Sequence, residues 1–236
     1  MSSVGDVARV LRGTGRGAAG AAGHGGDPDG RTEGLGARRL PAGERRRQLF
    51  DVALDLFAER GYRATTMDDV AEAAGVTKPL VYQHFSSKRA LYLELVDSVA
   101  HEMLAAIADA AARAEGPRQQ VEQGFAAYFA LVVTHESAFR LLYGRDHGDD
   151  EELGEALRRV EDVLAEAIDP LIAAGLDPDH RRLLAYAVVG MAEGASRHWI
   201  ATHPPLSDDA AEAEAHRLAG RMADLAWAGL RSVHAD

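Results

Sequence analysis

The feature that most constrains this chain is a pair of short apolar stripes at helical spacing, with a glycine between them. Met67, Val70, Ala71 and Ala74 form the first stripe, opened by Thr66 with Asp69 three residues on, the pattern of a capping box. Gly75 ends that helix. Thr77 is placed to cap a second one that tolerates Pro79 in its first turn and runs to about His84. Two short helices joined by a tight, glycine-containing turn form a helix-turn-helix unit, whose second helix suits the major groove of DNA.

The surrounding sequence is helical too. Leu49, Val52, Ala53, Leu56 and Phe57 make one apolar face of a preceding helix that Gly61 can close. After the unit, Ser86 or Ser87 can cap a helix over residues 88–114, and further helices are predicted at 118–134, 137–143, 150–174, 178–201 and 208–233. No segment alternates with period two. The reading is therefore all-α: a disordered Gly/Ala/Arg-rich arm over residues 1–43, a three-helix DNA-binding domain over 44–92, and a helical effector-binding and dimerisation domain over 93–236. Gly15, Gly17 and Gly20 have dinucleotide-fingerprint spacing, but no βαβ pattern surrounds them.

A formal net charge of -11 argues at first against a nucleic-acid partner, because phosphate binding leaves a basic footprint. Its distribution reverses the argument. The arm carries +2, residues 44–92 carry +1, and the rest carries -14. The acidity belongs to the part expected to face away from DNA. The absence of cysteine excludes disulfides, thiolate zinc sites and cysteine nucleophiles. With no signal-like N-terminus and no apolar run near the ~18 residues of a membrane span, the expectation is a soluble cytoplasmic protein without a membrane partner.

The second short helix has the surface that DNA requires. Thr77 and Lys78 sit at its N-terminus, where backbone NH groups favour phosphate, and Tyr82, Gln83, His84 and the later Lys88 can each donate to phosphate oxygens. Lys78, Leu80 and Gln83 are placed to meet base edges. Arg45, Arg46 and Arg47 open the first helix, where cations oppose the helix dipole at about 0.3–1 kcal/mol each unless an anion lies nearby. A DNA backbone supplies that anion, and the arm with Arg38 and Arg39 can reach a minor groove. The competing reading is a helical corner with a solvated arginine run.

Enzyme signatures fail on spacing. His101-Glu102 and His135-Glu136 begin like H-E-x-x-H, but Ala105 and Phe139 stand where the second histidine belongs. There is no G-x-S-x-G elbow and no P-loop. His135, His147, His198 and His203 do not converge by spacing, so the expectation is no enzyme, no metal and no cofactor.

The stretch ERRRQLFDVALDLFAERGYRATTMDDVAEAAGVTKPLVYQHFSSKRALY, residues 44–92, resembles the N-terminal domain of TetR/AcrR regulators. The likeness lies in A-x-x-L-F-x-x-x-G-Y-x-x-T-T, V-A-x-x-A-G-V-T-K and Y-x-H-F-x-x-K. It implies that residues 77–84, Pro79 and Leu80 included, read a palindromic double-stranded operator. It implies also that Thr66, Tyr82, His84 and Lys88 grip phosphates, and that the chain acts as a repressor.

Beyond that domain, Phe125, Phe129, Val132, Phe139, Leu142, Tyr143, Val163, Leu164, Ile168, Tyr186, Met191 and Trp199 are candidates to line a cavity, with ordinary bundle core as the alternative for each. Gly190, Gly194, Ala223, Trp227 and Leu230 mark two helices able to approach a partner copy closely, so a four-helix homodimer interface is expected. VTKPLVYQHFSSK, FRLLY, VVGMAEGASRHWI and AWAGL resemble an actinobacterial subgroup sensing long-chain acyl-CoA. That resemblance implies an apolar tunnel, with Arg140, Arg145 or Arg197 either meeting phosphates or forming surface ion pairs. A sensor of drug-like efflux substrates and a helical module that binds no DNA are the remaining alternatives.

Overall fold

The computed structural model describes residues 41–143, 150–172, 175–203 and 206–233. Nine α-helices occupy them: α1 Ala42–Ala64, α2 Met67–Ala73, α3 Lys78–His84, α4 Lys88–Ala112, α5 Pro117–Thr134, α6 Glu136–Tyr143, α7 Glu151–Ile168, α8 Pro178–Thr202 and α9 Asp208–Leu230. There is no strand among the described residues. The predicted arm lies outside them except for its end, and Ala42 and Gly43 already belong to α1.

Local chemistry explains the boundaries. Gly61 adopts φ 79° and breaks the regular winding of α1, which resumes for one more turn. Thr66 and Asp69 close the capping box from both sides: Asp69 N donates to Thr66 Oγ1 at 3.1 Å, and Thr66 N donates to Asp69 Oδ2 at 2.7 Å. Gly75 takes φ 65° in the turn, a conformation costly for any residue with a Cβ. Thr77 does occupy the N-cap of α3, but its side chain makes no capping bond. Of the two serines before α4, Ser87 is the cap, its Oγ accepting from Ala90 N at 3.0 Å.

One predicted boundary needs correction. The expected helix over 150–174 ends at Ile168 and passes into a single 3-10 turn, Asp169–Leu171. Pro170 is the reason, since its ring collides with the carbonyl four residues back and it has no NH to donate.

The helices share one continuous core. Around α1 and α4 the core is aromatic: the Phe57, Tyr62 and Tyr92 rings meet at 5.0–6.0 Å, and Tyr92 Oη donates to Leu141 O of α6 at 3.0 Å. Farther along, α4 packs on α5 and α7, and α9 lies along α5. That last contact is made by small residues. Ala211, Ala215, Ala219 and Ala223, four apart, and then Ala226 are all buried along α9, which lets the two helix backbones approach closely.

Candidate DNA-reading surface and effector cavity

The sequence of α3 divides it into two faces. Val81 is wholly buried and Phe85, just past the helix, is nearly so, which fixes α3 against α2 and α1. Lys78, Pro79, Tyr82 and Gln83 then fall together on the opposite face and are exposed, with Thr77 at its start. Tyr82 is 45% exposed, a large ring held in water by its position rather than by its polarity. Leu80 and His84 are half-buried at the edges of this face. The Lys78 ammonium pairs with Asp68 Oδ2 at 2.8 Å; both are exposed, so the contact is weak and exchangeable for a nucleic-acid partner.

Other predicted contacts are already engaged within the chain. Arg46 Nη2 lies 2.5 Å from Glu94 Oε1 of α4, and its guanidinium sits 4.5 Å from the centre of the Phe85 ring. Lys88 Nζ donates to Tyr62 O at 2.8 Å and Thr65 O at 2.9 Å, with the ammonium 4.3 Å from the Tyr62 ring. Both cations tie α4 and α1 together; the Arg46 pair is exposed and exchangeable for phosphate in the same way as that of Lys78, whereas the Lys88 ammonium is partly buried against its two carbonyls. Burial pushes the Lys88 pKa down, with Asp69 opposing. Arg45 bonds Gln48, which reaches Ala74 O at 3.2 Å and braces the end of α2. Thr66 is exposed, but its hydroxyl is spent on Asp69.

In the second half of the chain, an apolar cavity of about 90 Å³ opens between α4, α5, the end of α6, α7, α8 and α9. Of the expected lining, Phe125, Tyr143, Leu164 and Ile168 face it. Phe129, Phe139 and Leu142 do not; they are buried in the common core, as is Val132. Trp199 is drawn away by its indole NH, which donates to the buried Glu214 Oε1 at 3.1 Å. Met191 packs against the core, Val163 is exposed, and Tyr186 bonds Asp162. Ile107 and Ala111 of α4, Val121 of α5, Leu171 and Val188 are lining residues the sequence reading missed. An apolar residue beside a void carries the same pattern as one in solid core, so no sequence signal separates them.

The expected dimer residues also divide. Ala223 is buried against α5 in its own chain, Leu230 lines the cavity, and Trp227 is half-buried. Gly190 is exposed and Gly194 half-buried, and a Cβ added at either meets nothing within 4 Å. Leu183 on α8 and Leu225 on α9, 67% and 59% exposed, were not among the expected residues. Arg140 and Arg197 pair with Glu136 and Glu193, the ion-pair alternative; Arg145 lies outside the described residues. No described helix is long and apolar enough to cross a membrane, and no described group of three His, Cys, Asp or Glu is placed to hold a metal.

A capped helix-turn-helix with an exposed second helix, joined through one long helix to a bundle enclosing an apolar void, defines the class of one-component DNA-binding regulators. The comparisons specify the family. Residues 49–95 match the profile of bacterial regulatory proteins of the tetR family. The chain is 30% identical over 197 residues to the HTH-type transcriptional activator FasR of Mycolicibacterium smegmatis, covering 83% of this chain and 87% of that protein. A TetR-like transcriptional regulator from Rhodococcus sp. RHA1 superposes with a TM-score of 0.66 at 26% identity, over 83% of this chain and all of that one. FadR of Bacillus subtilis, solved in complex with stearoyl-CoA, shares the fold at 15% identity, with a TM-score of 0.62 over 79% of this chain and 98% of that one. The chain belongs to the TetR family of DNA-binding transcriptional regulators, which are not enzymes.

Proposed function

We propose that this regulator binds a palindromic operator as a homodimer and that an apolar effector in the cavity, a long-chain acyl-CoA, sets its affinity for DNA. The observation that carries this reading is the course of α4. At one end Lys88 is anchored to the backbone between α1 and α2; about 28 Å along the same helix, Ile107 and Ala111 form cavity wall. A ligand that widens the cavity against Ile107 and Ala111 displaces α4, and with it the reading unit.

Thr77, Lys78, Pro79, Leu80, Tyr82 and Gln83 are the contacts proposed for the operator, Lys78 and Gln83 at base edges and Tyr82 at phosphate. For dimerisation the proposed face is Leu183, Gly190 and Gly194 on α8 with Leu225 on α9, where small and exposed apolar residues leave room for a partner copy. The acyl ligand draws support from the nearly all-apolar cavity wall and from the stearoyl-CoA held by the similarly folded FadR. At about 90 Å³ the void is smaller than the roughly 300 Å³ from which ligand pockets begin, so binding requires expansion. That requirement is what makes occupancy able to shift a conformational equilibrium. Repression is the proposed sign of control, with activation, the role in FasR's name, as the alternative.

Capture of fragmented genomic DNA by the purified protein, followed by sequencing at near-physiological salt, tests the proposal. A few sites sharing an inverted repeat, with half-sites about 34 Å or a multiple of it apart, are expected. Uniform, sequence-independent retention would contradict it.

A further inference from the structure

The cavity is not uniformly apolar. Tyr143, the last residue of α6, lines it, and its hydroxyl oxygen is buried beside the Tyr128 hydroxyl without a well-formed hydrogen bond to any described residue. Tyr128, also on the wall, has a partner: its hydroxyl accepts from Ser196 Oγ at 3.2 Å. Buried polar groups in folded proteins are nearly all bonded, and an orphaned hydroxyl at the wall of a ligand cavity is a group waiting for an atom that the ligand brings.

The charges around this hydroxyl restrict what that atom can be. Burial first, then Tyr128, through its charge and through the contact of the two hydroxyls, and the carboxylates of Glu193 and Glu161 push the Tyr143 phenol pKa well up, so the group is a neutral O–H donor whose proton a better-placed acceptor can take. Arg197 neutralises Glu193 at 2.5 Å, which leaves Glu161, itself held toward its neutral form by burial, with Glu193 and Asp162 adding. A carboxylate on the ligand would add a further anion to this half-buried acidic group, whereas an uncharged oxygen would not.

Resting on the effector-cavity reading above, we propose that Tyr143 is a specificity-determining residue: the site takes an apolar chain bearing one uncharged oxygen, a carbonyl or ester-type group, that accepts the Tyr143 hydroxyl proton. Free fatty acids, with the same chain and an anionic end, are selected against. An acyl thioester falls inside the accepted class.

The test uses the full chain and its Tyr143→Phe variant, which keeps the ring and its packing. Methyl decanoate and decanoate are titrated into each by calorimetry, and tyrosine 13Cζ resonances are followed in parallel. The expected result is that wild type binds the ester about tenfold more tightly than decanoate and that Tyr143→Phe loses about tenfold in ester affinity. One tyrosine resonance, absent from the variant, moves on adding ester. The ligand-free variant, relieved of its orphaned hydroxyl, melts no lower than wild type. Equal ester affinity in the two proteins, or equal binding of ester and decanoate by wild type, overturns the assignment of Tyr143 while leaving the effector cavity standing. Failure of both probes to bind the folded wild type removes the assignment and the effector cavity together.

Discussion

Lys88 shows how a residue's chemistry and its place can point in different directions. Its charge and its position just past the reading helix suggest phosphate, yet its ammonium is taken by Tyr62 O and Thr65 O. Lys88→Met should cost about 1–2 kcal/mol of stability in denaturant titration, because two carbonyls lose their donor. It should also leave the slope of log binding constant against log salt unchanged, whereas a lost phosphate contact takes about 0.9 from it. Asp51 on α1 makes a pH prediction. Burial raises its pKa to about 6, with Asp55 one turn on adding and Arg47 opposing, and its Oδ1 has no hydrogen-bond partner among the described residues. The folded state therefore holds the proton more tightly than the unfolded chain, whose carboxyl titrates near 3.8. Stability should fall as pH rises between about 4 and 6 and stay low above that window. Asp51→Asn should remove this loss and gain about 1 kcal/mol at pH 7.5, discounted for partial exposure, as read from melting curves at the two ends of the range.

At the scale of elements, the punctuated helices were the most legible. Thr66, Asp69, Gly75 and Ser87 act through bonds and dihedral angles within a few residues of themselves, so their effect is written locally. Pro170 is a local signal of the same kind, and it ends α7 although apolar residues continue past it in Leu171 and Ile172. The alanines of α9 could not be resolved in that way. Small residues permit close approach whether the neighbour is α5 of the same chain or a helix of another, and only the packing shows that Ala223 faces inward. Ala223→Leu should therefore overpack α5 against α9 and destabilise the fold by about 1–3 kcal/mol in denaturant titration. Replacing the exposed Leu183 by Asp should leave the melting of the protomer's core intact and shift sedimentation toward monomer. If Ala223→Leu dissociates the assembly without loss of stability, the inward placement is wrong.

For the whole molecule, one helix carries the account. Reading surface and cavity are built from different residues and share no side chain, so their communication depends on α4 and on the contact of α1 with α6. The exposed face of α3 was visible in the sequence because exposure there follows from a two-face pattern within seven residues. The cavity was visible only in part, because it is a shortfall of packing among six helices spread along the sequence. The measurement that tests the coupling most directly is the affinity for one captured operator, by fluorescence anisotropy at fixed salt, with and without saturating stearoyl-CoA. A change of at least about tenfold is expected, equivalent to about 1.4 kcal/mol of coupling. An unchanged operator affinity with stearoyl-CoA demonstrably bound would contradict it.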